Sequence, residues 1–182
     1  LGLIVERLDS ASFAAAIKQR IFARLGMTSS FVRTPQDSTI NPAVGHRFWA
    51  QSARSFSAPM PPGVVAQGGV YASAHDLAVY LSDLMSPQPK LLSAAGRDEL
   101  FKTDKSPEQA DYSLGWYVEH RDGHRFIYHG GSNPGFESIA GFVPEHQFGF
   151  VALANAGTGF VGGNVAGTLD RLQALAFGPD KP

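Results

Sequence analysis

The order of hydrophobic periods along these 182 residues predicts an α+β fold, in which helices come first and an antiparallel sheet follows. In the helical segments before residue 110, apolar residues recur at intervals typical of amphipathic helices. From Tyr112 the pattern becomes an alternation, which is typical of half-buried strands. We therefore expect a helical part over residues 1–110, and a sheet with a closing helix over residues 111–182.

Capping residues delimit the predicted helices. Residues 1–25 contain two helical stretches, because a serine that can cap a helix, Ser10 or Ser12, stands between two apolar stripes. Gly26 can adopt the left-handed conformation that ends a helix, so the second stretch stops there. Serines also precede two further helical patterns, at Ser73 and Ser93.

The segment between the second and third helices, residues 27–69, has no clear hydrophobic period. It is rich in Ser, Thr, Pro and Asn, which favours a loop. Loops of this length are uncommon in a compact domain unless they have a function. We therefore expect a long loop that lines a binding cleft.

Turn residues divide the second half of the chain into strands. Asp122 and Gly123 separate two alternating segments, which predicts a β-hairpin. Two more alternating segments follow at residues 136–144 and 148–155, so the sequence predicts an antiparallel meander of three or four strands. The side chains of the last helix expected to lie on the sheet are Val165, Leu169, Leu172 and either Leu175 or Phe177.

Charge and composition exclude several classes of function. The 15 basic and 16 acidic residues are dispersed and give a formal net charge of −1, so the chain has no electrostatic footprint for nucleic acid. The absence of cysteine excludes disulfides, thiolate metal sites and thiol nucleophiles. His120 and His124 flank the hairpin turn at a spacing that a metal ion could use, but two exposed hairpin side chains are the more economical interpretation. We expect no metal and no cofactor.

Several segments occur together in a characteristic order. The chain contains LGLIVERL and RLGMTSSFV in its first helices, QGGVYASAHDL at the third helix, YSLGWYV at the first strand and YHGGSNPGFESIAGFVP in the hairpin region. In this order they resemble the family of penicillin-binding proteins, class C β-lactamases, D-amino-acid carboxypeptidases and related esterases, although the proline that usually precedes Leu25 is missing. The resemblance implies the C-terminal portion of a β-lactamase/transpeptidase-like fold.

The chemistry of that family rests on three motifs, and the chain contains only the third. A Ser-x-x-Lys helix supplies the nucleophile and a Tyr-x-Asn or Ser-x-Asn loop an activating group, because a serine hydroxyl needs a neighbouring base. No serine here is followed three places later by lysine, and neither triplet occurs. Because the family places both motifs upstream of the segment that begins here at Leu1, we expect that the nucleophile-bearing part is missing and that the isolated chain is inactive.

The third motif, a Lys-Thr-Gly or His-x-Gly strand, falls on the hairpin region. The resemblance implies a substrate-lining strand formed by His129, Gly130, Gly131, Ser132, Asn133 and Phe136. His129 would orient the substrate, Gly131 would leave the strand bare, and the backbone N–H of Ser132 would supply half of an oxyanion hole. Without the resemblance, His129 is more simply interpreted as an ordinary half-exposed histidine.

Three interpretations of function stay open. The first is a serine hydrolase that acts on a small-molecule or peptide-like substrate, with an ester, amide or β-lactam carbonyl. The second is a non-catalytic binding or structural module with the same fold. The third is an enzyme whose nucleophile comes from another chain, since an exposed sheet edge predicts self-association. The family favours a periplasmic or secreted location, and the composition leaves the cytoplasm open.

Overall fold

The computed structural model describes residues 1–33, 42–49, 52–56, 62–103, 111–157 and 165–178. The predicted α+β class is confirmed. The helices are α1 (Gly2–Asp9), α2 (Phe13–Ile17), α3 (Ala23–Leu25), α4 (Val65–Gly68), α5 (Ala74–Met85), α6 (Ala94–Leu100) and α7 (Val165–Phe177). The strands are β1 (Phe31–Val32), β2 (Gly45–Trp49), β3 (Ser52–Phe56), β4 (Val70–Tyr71), β5 (Asp111–Tyr112), β6 (Tyr117–Arg121), β7 (His124–Asn133), β8 (Phe136–Val143), β9 (Phe148–Ala154) and β10 (Ala156–Gly157).

The predicted helix boundaries follow from capping chemistry. A serine hydroxyl accepts a hydrogen bond from the backbone N–H three residues later, at 3.2, 3.1 and 3.1 Å for Ser12, Ser73 and Ser93. Ser10, the alternative cap, instead ends α1 with a φ of 50°. A π-helical turn, Lys18–Phe22, joins α2 to α3, and Gly26 ends α3 with a φ of 70°. The helical prediction for residues 1–25 is confirmed.

The prediction of one long loop over residues 27–69 is wrong in part. β2 and β3 form an antiparallel hairpin, β1 pairs with β4, and β2 also pairs in parallel with β10. Residues 34–41, 50–51 and 57–61 lie outside the described residues. The sequence pattern missed the hairpin because the side chains of Ser52–Phe56 are mostly exposed, so the strand needs no apolar alternation.

In the described part of the chain, the central sheet has five antiparallel strands in the order β5-β6-β7-β8-β9, where the sequence predicted three or four. The additional strand, Asp111–Tyr112, is too short to show a period. The predicted hairpin turn is confirmed, since Asp122 and Gly123 have φ values of 47° and 82°. Positive φ at both central residues is what a two-residue hairpin loop of type I′ requires.

Each face of this sheet carries its own hydrophobic cluster. On one face, α5 and the residue after α6 pack against the sheet through Leu81, Leu84, Phe101, Trp116, Val118, Ile127 and Phe142. On the other face, α7 packs through Leu169 on Phe126, Tyr128, Ile139, Val143 and Phe150, with Leu172 and Phe177 alongside. Leu175 is 66% exposed, so Phe177 is the correct alternative for the end of α7. The side chain of Val165 lies outside the described residues.

A buried carboxylate joins α5 to the segment before β1. Asp76 accepts hydrogen bonds from the backbone N–H of Ser29 at 2.9 Å and from the hydroxyl of Ser30 at 2.7 Å. Asp76 therefore holds the segment after Gly26 in place through two hydrogen bonds. It is also an acidic residue in the first turn of α5, where a negative charge is favourable to the helix dipole. Across the described ranges, the structure contains no helix that is long and apolar enough to cross a membrane.

Candidate active site

The His-x-Gly segment lies where β7 extends beyond its neighbour β6. β6 pairs with β7 only as far as Tyr128, whereas β8 pairs with β7 as far as Asn133. His129–Asn133 therefore has a strand partner on one side and, among the described residues, none on the other. Backbone groups on such an edge can pair with an extended ligand. The structure brings all the predicted site residues to this segment and the turn that follows: His129, Gly130, Gly131, Ser132, Asn133 and Phe136.

A tight turn joins this segment to β8. Pro134 and Gly135 are the central residues between the paired Asn133 and Phe136. Gly135 has a φ of 86°, as the third position of a type II turn requires. A β-carbon on Gly135 would also lie 3.1 Å from the Cα of Gly45, which is too close. Glycine is therefore needed both for the turn and for its close approach to β2.

Asn133 links the end of β7 to the helical part of the chain. Its side-chain amide donates a hydrogen bond to the carbonyl oxygen of Gly68 at 3.1 Å. A β-carbon on Gly68 would lie 3.0 Å from the same amide nitrogen, so the glycine leaves room for this contact. Asn133 is nevertheless exposed. Its side chain thus holds the end of the strand in place while remaining accessible to a ligand.

Phe136 belongs to a row of aromatic rings beside the turn. The ring of Tyr71 meets Phe136 edge-on at 6.2 Å, and Phe31 stacks on Tyr71 at 5.1 Å. Arg33 donates a hydrogen bond to the Tyr71 hydroxyl at 2.9 Å. This row joins the start of β8 to β4 and β1, so the position of Phe136 suits a wall of a binding cleft.

His129 is exposed and lies beside two tyrosines. Its Nε2 is 3.1 Å from the hydroxyl oxygen of Tyr112. The ring of Tyr117 stacks on the imidazole with centroids 5.7 Å apart, and the Tyr112 ring meets it edge-on at 5.9 Å. The imidazole is therefore oriented by a hydrogen bond and by two ring contacts, although it faces solvent.

Gly131 has a second reason to lack a side chain. A β-carbon there would lie 2.8 Å from the hydroxyl oxygen of Ser138, the residue paired with it on β8. Ser132, which follows, is exposed. The bare surface at Gly131 and the exposure of Ser132 leave the strand accessible where the resemblance places an oxyanion hole.

A hydrogen-bonded tyrosine supports the strand just before His129. The hydroxyl of Tyr128 donates to Glu119 at 3.0 Å, and Glu119 also pairs with Arg121 at 2.9 Å. Burial and the hydrogen bond to the Glu119 carboxylate raise the pKa of Tyr128 from 10.0 to about 12. Tyr128 therefore remains a neutral donor at physiological pH and anchors β7 to β6.

The two histidines at the hairpin turn do not form a metal site together. Arg121 pairs with His124 and His120 pairs with Arg125, so His120 and His124 project from opposite faces of the sheet. Instead, Nδ1 of His124 lies 2.9 Å from Nε2 of His146, and the His124 ring stacks on Phe177. The described residues contain no group of three or more His, Asp or Glu side chains that could hold a metal ion.

Two contacts of the site were not anticipated from the sequence. Tyr112 lies 17 residues before His129, and Gly68 lies 65 residues before Asn133. The Asp122-Gly123 turn does set the register that places Tyr117 opposite Tyr128. That register was the one available signal that a tyrosine lies beside His129.

Comparison with known proteins identifies the family. A family model described as Beta-lactamase matches residues 1–175. The chain belongs to the β-lactamase family. Its structural neighbours include penicillin-binding proteins, class C β-lactamases and D-amino acid amidases. The predicted family and the β-lactamase/transpeptidase-like fold are therefore confirmed.

The individual similarities cover most of this chain and only part of its relatives. "Protein flp" of Staphylococcus aureus strain N315 is 22% identical over 163 residues, which are 88% of this chain and 32% of that protein. A penicillin-binding protein from Bacillus halodurans has a TM-score of 0.74 and 21% identity, covering 94% of this chain and 53% of that one. A D-amino acid amidase from Ochrobactrum anthropi SV3, complexed with L-phenylalanine amide, has a TM-score of 0.70 and 21% identity. That similarity covers 87% of this chain and 48% of the amidase chain. This β-lactamase-family chain thus spans about a third of the curated relatives that it matches.

Proposed function

We propose that this chain supplies the substrate-lining strand of a serine hydrolase that cleaves an ester, amide or β-lactam carbonyl through an acyl-enzyme. The observation that carries the proposal is the segment His129–Asn133, which among the described residues is paired on one side only and is mostly exposed. An extended substrate that pairs with this edge would bring its carbonyl group close to the backbone of Ser132.

The chemistry divides into groups that this chain supplies and groups that it lacks. The backbone N–H of Ser132 would donate to the oxyanion that develops on the carbonyl oxygen, and His129 would orient the substrate. The second oxyanion donor in this family is the amide of the nucleophilic serine, which requires the Ser-x-x-Lys helix. Because the 182 residues contain no such motif, we propose that the isolated chain does not turn over substrate.

Intact mass spectrometry with a serine-reactive phosphonate tests the proposed inactivity. The purified chain is incubated with the probe and with a chromogenic aryl ester, and both the adduct and the released alcohol are measured. We expect neither product. A stoichiometric adduct, or hydrolysis that the probe abolishes, would show that a serine within these 182 residues is a nucleophile.

Amide chemical shifts test the binding role separately from turnover. The isotope-labelled chain is titrated with an acylated dipeptide, an aryl ester and a β-lactam. We expect the largest changes at the backbone amides of Gly130, Gly131 and Ser132, with His129→Ala weakening the effect and His120→Ala, also an exposed strand histidine, leaving it unchanged. Equal shifts over the whole sheet, or none at any of these amides, would contradict the proposed site.

A protein that joins this chain to a nucleophile-bearing segment would test the catalytic contribution. There we expect His129→Ala to lower kcat/KM at least about tenfold, because a group that orients the substrate is lost. His120→Ala is again the matched control. Unchanged kinetics in the His129 variant would remove this residue from the proposed mechanism.

The alternative is a non-catalytic binding module, and the absence of Ser-x-x-Lys from the chain is the observation that favours it. Such a module would bind the same carbonyl ligands at His129–Asn133. Such a module would form no acyl adduct with these ligands, either alone or within a longer protein that contains it. A covalent acyl intermediate in either case would exclude the module.

The free edge of β9 is the basis for a proposed self-association. Phe148–Ala154 pairs with β8 on one side and with no strand of the described chain on the other. Unpaired edges of this kind recruit further strands. We expect light scattering to detect a concentration-dependent dimer, and Leu153→Lys, at a 43% exposed position, to reduce it. A monomer at every concentration would contradict the proposal.

A further inference from the structure

The imidazole of His129 has one nitrogen occupied and one available. Its Nε2 lies 3.1 Å from the hydroxyl oxygen of Tyr112. Tyr117 stacks on the ring with an interplanar angle of 29°, which limits rotation of the imidazole. No hydrogen bond from a described residue reaches Nδ1. The two ring nitrogens therefore have different environments, and the difference originates with Tyr112.

We infer that Tyr112 is a positioning residue, which selects the tautomer of the neutral His129 imidazole with the proton on Nδ1 and thereby presents Nδ1–H as a donor to the ligand. A neutral imidazole has one N–H donor and one acceptor nitrogen. A phenol is a good donor and a poor acceptor, so the stronger arrangement is the Tyr112 hydroxyl donating to Nε2. That choice places the proton on the other nitrogen.

The arrangement defines what His129 can do at the site. With Nε2 already accepting a hydrogen bond, the imidazole has no free acceptor with which to remove a proton from a nucleophile. Its available group is a donor, which suits an acceptor oxygen on the substrate, such as a carbonyl or a carboxylate. This inference rests on the proposed function for the identity of the ligand, whereas the tautomer of His129 is a property of the chain alone.

The tautomer can be measured directly. Long-range ¹H–¹⁵N spectra of the labelled chain, recorded near pH 8.5 where an ordinary imidazole is neutral, distinguish a proton on Nδ1 from a proton on Nε2. We expect His129 to carry its proton mainly on Nδ1. Tyr112→Phe removes the hydroxyl and keeps the ring, so the ratio of Nδ1–H to Nε2–H should fall by about 2–10-fold, the equivalent of one ordinary hydrogen bond.

Tyr117→Phe is the matched control. It retains the ring stacked on His129 and removes a hydroxyl that is not bonded to the imidazole, so the tautomer ratio should not change. Tyr112 is 51% exposed, so its variant should give a backbone amide spectrum close to that of the original chain. This spectrum verifies folding before the tautomers are compared.

The outcomes separate this inference from the proposed function. A proton mainly on Nε2 in the original chain, an unchanged ratio in Tyr112→Phe, or an equal change in Tyr117→Phe would each overturn the role of Tyr112. Failure of carbonyl ligands to shift the amides of residues 130–132 would instead contradict the proposed function and leave the tautomer result standing.

Discussion

The two halves of β7 differ in pairing, burial and composition. His124–Tyr128 pairs with β6, its last two residues, Ile127 and Tyr128, also pair with β8, and Phe126 and Ile127 are 0% and 1% exposed. Within the described part of the chain, His129–Asn133 is paired on one side only, and all of it except the half-buried Gly130 is exposed. One half anchors the strand in two hydrophobic clusters, and the other half extends from that anchor as an accessible edge. An accessible strand edge can thus be held in place by a core to which it does not itself contribute.

The amino acids of the two halves explain the difference. Phe126, Ile127 and Tyr128 bury large apolar surfaces on alternate faces of the sheet, which stabilises the pairing with β6 and β8. Gly130 and Gly131 have no side chain to bury and leave the backbone accessible. The boundary between the halves coincides with the last residue that β6 pairs, so composition and pairing change together.

The largest effect on stability should come from truncating a large side chain in the buried half of β7. We expect Phe126→Ala to lower the free energy of unfolding by about 3–5 kcal/mol, because a ring in a closed cluster leaves a cavity. Phe136→Ala, beside the accessible half, should cost about 1–2 kcal/mol, since that ring is only partly buried. Urea titrations of both variants measure the difference. Equal losses would mean that the two halves do not differ energetically.

Two glycines on paired strands should give the next largest difference. A β-carbon on Gly141 would lie 2.6 Å from the carbonyl oxygen of Ile127 and from Cβ of Tyr128, whereas one on Gly131 meets only the exposed Ser138 hydroxyl at 2.8 Å. We expect Gly141→Ala to cost about 2–3 kcal/mol, because backbone atoms cannot move aside.

In the same urea titrations, Gly131→Ala should cost below about 1 kcal/mol, because the Ser138 hydroxyl can rotate away. Adding Ser138→Ala should recover that loss, since it removes the one close contact that a described residue makes there. If Gly131→Ala were as damaging as Gly141→Ala, the accessible half would be packed as tightly as the buried half.

The smallest effect should be a pH dependence of the free energy of unfolding that arises from Tyr128, the residue at the boundary between the halves. The pKa of Tyr128 is raised to about 12 by burial and by Glu119, so the folded chain holds this proton more tightly than the unfolded chain. The associated stabilisation is therefore complete below about pH 10 and is lost as the pH rises toward 12, by roughly 1 kcal/mol once solvent screening is included.

Unfolding free energies measured across that range provide the test. Tyr128→Phe should lack this component of the pH dependence, while Tyr117→Phe should retain most of it, because burial and Glu119 remain and Tyr117 is the smallest of the causes. A Tyr128→Phe chain that loses stability over the same interval by the same amount would show that other groups cause the loss.

Local chemistry was enough to predict most of the helices and the main hairpin. Ser12, Ser73 and Ser93 satisfy the first amides of their helices, and Asp122-Gly123 supplies the two positive φ angles of the turn. These signals act between residues a few positions apart. The motif order likewise predicted that His129–Asn133 would form the substrate-lining strand, and the structure places that segment on an accessible edge.

The remaining features depend on contacts between distant parts of the chain. β2 lies against the turn before β8 and against β10 because Gly45, Gly135 and Gly157 allow backbones to approach closely, and no local period marks such an approach. The contact of Tyr112 with His129 likewise requires β5, β6 and β7 to be paired in register. The sequence thus specifies which strand carries the proposed site, through residues that are local to it. Only the assembled sheet determines which side chains orient that strand, because those partners meet only after the strands have paired.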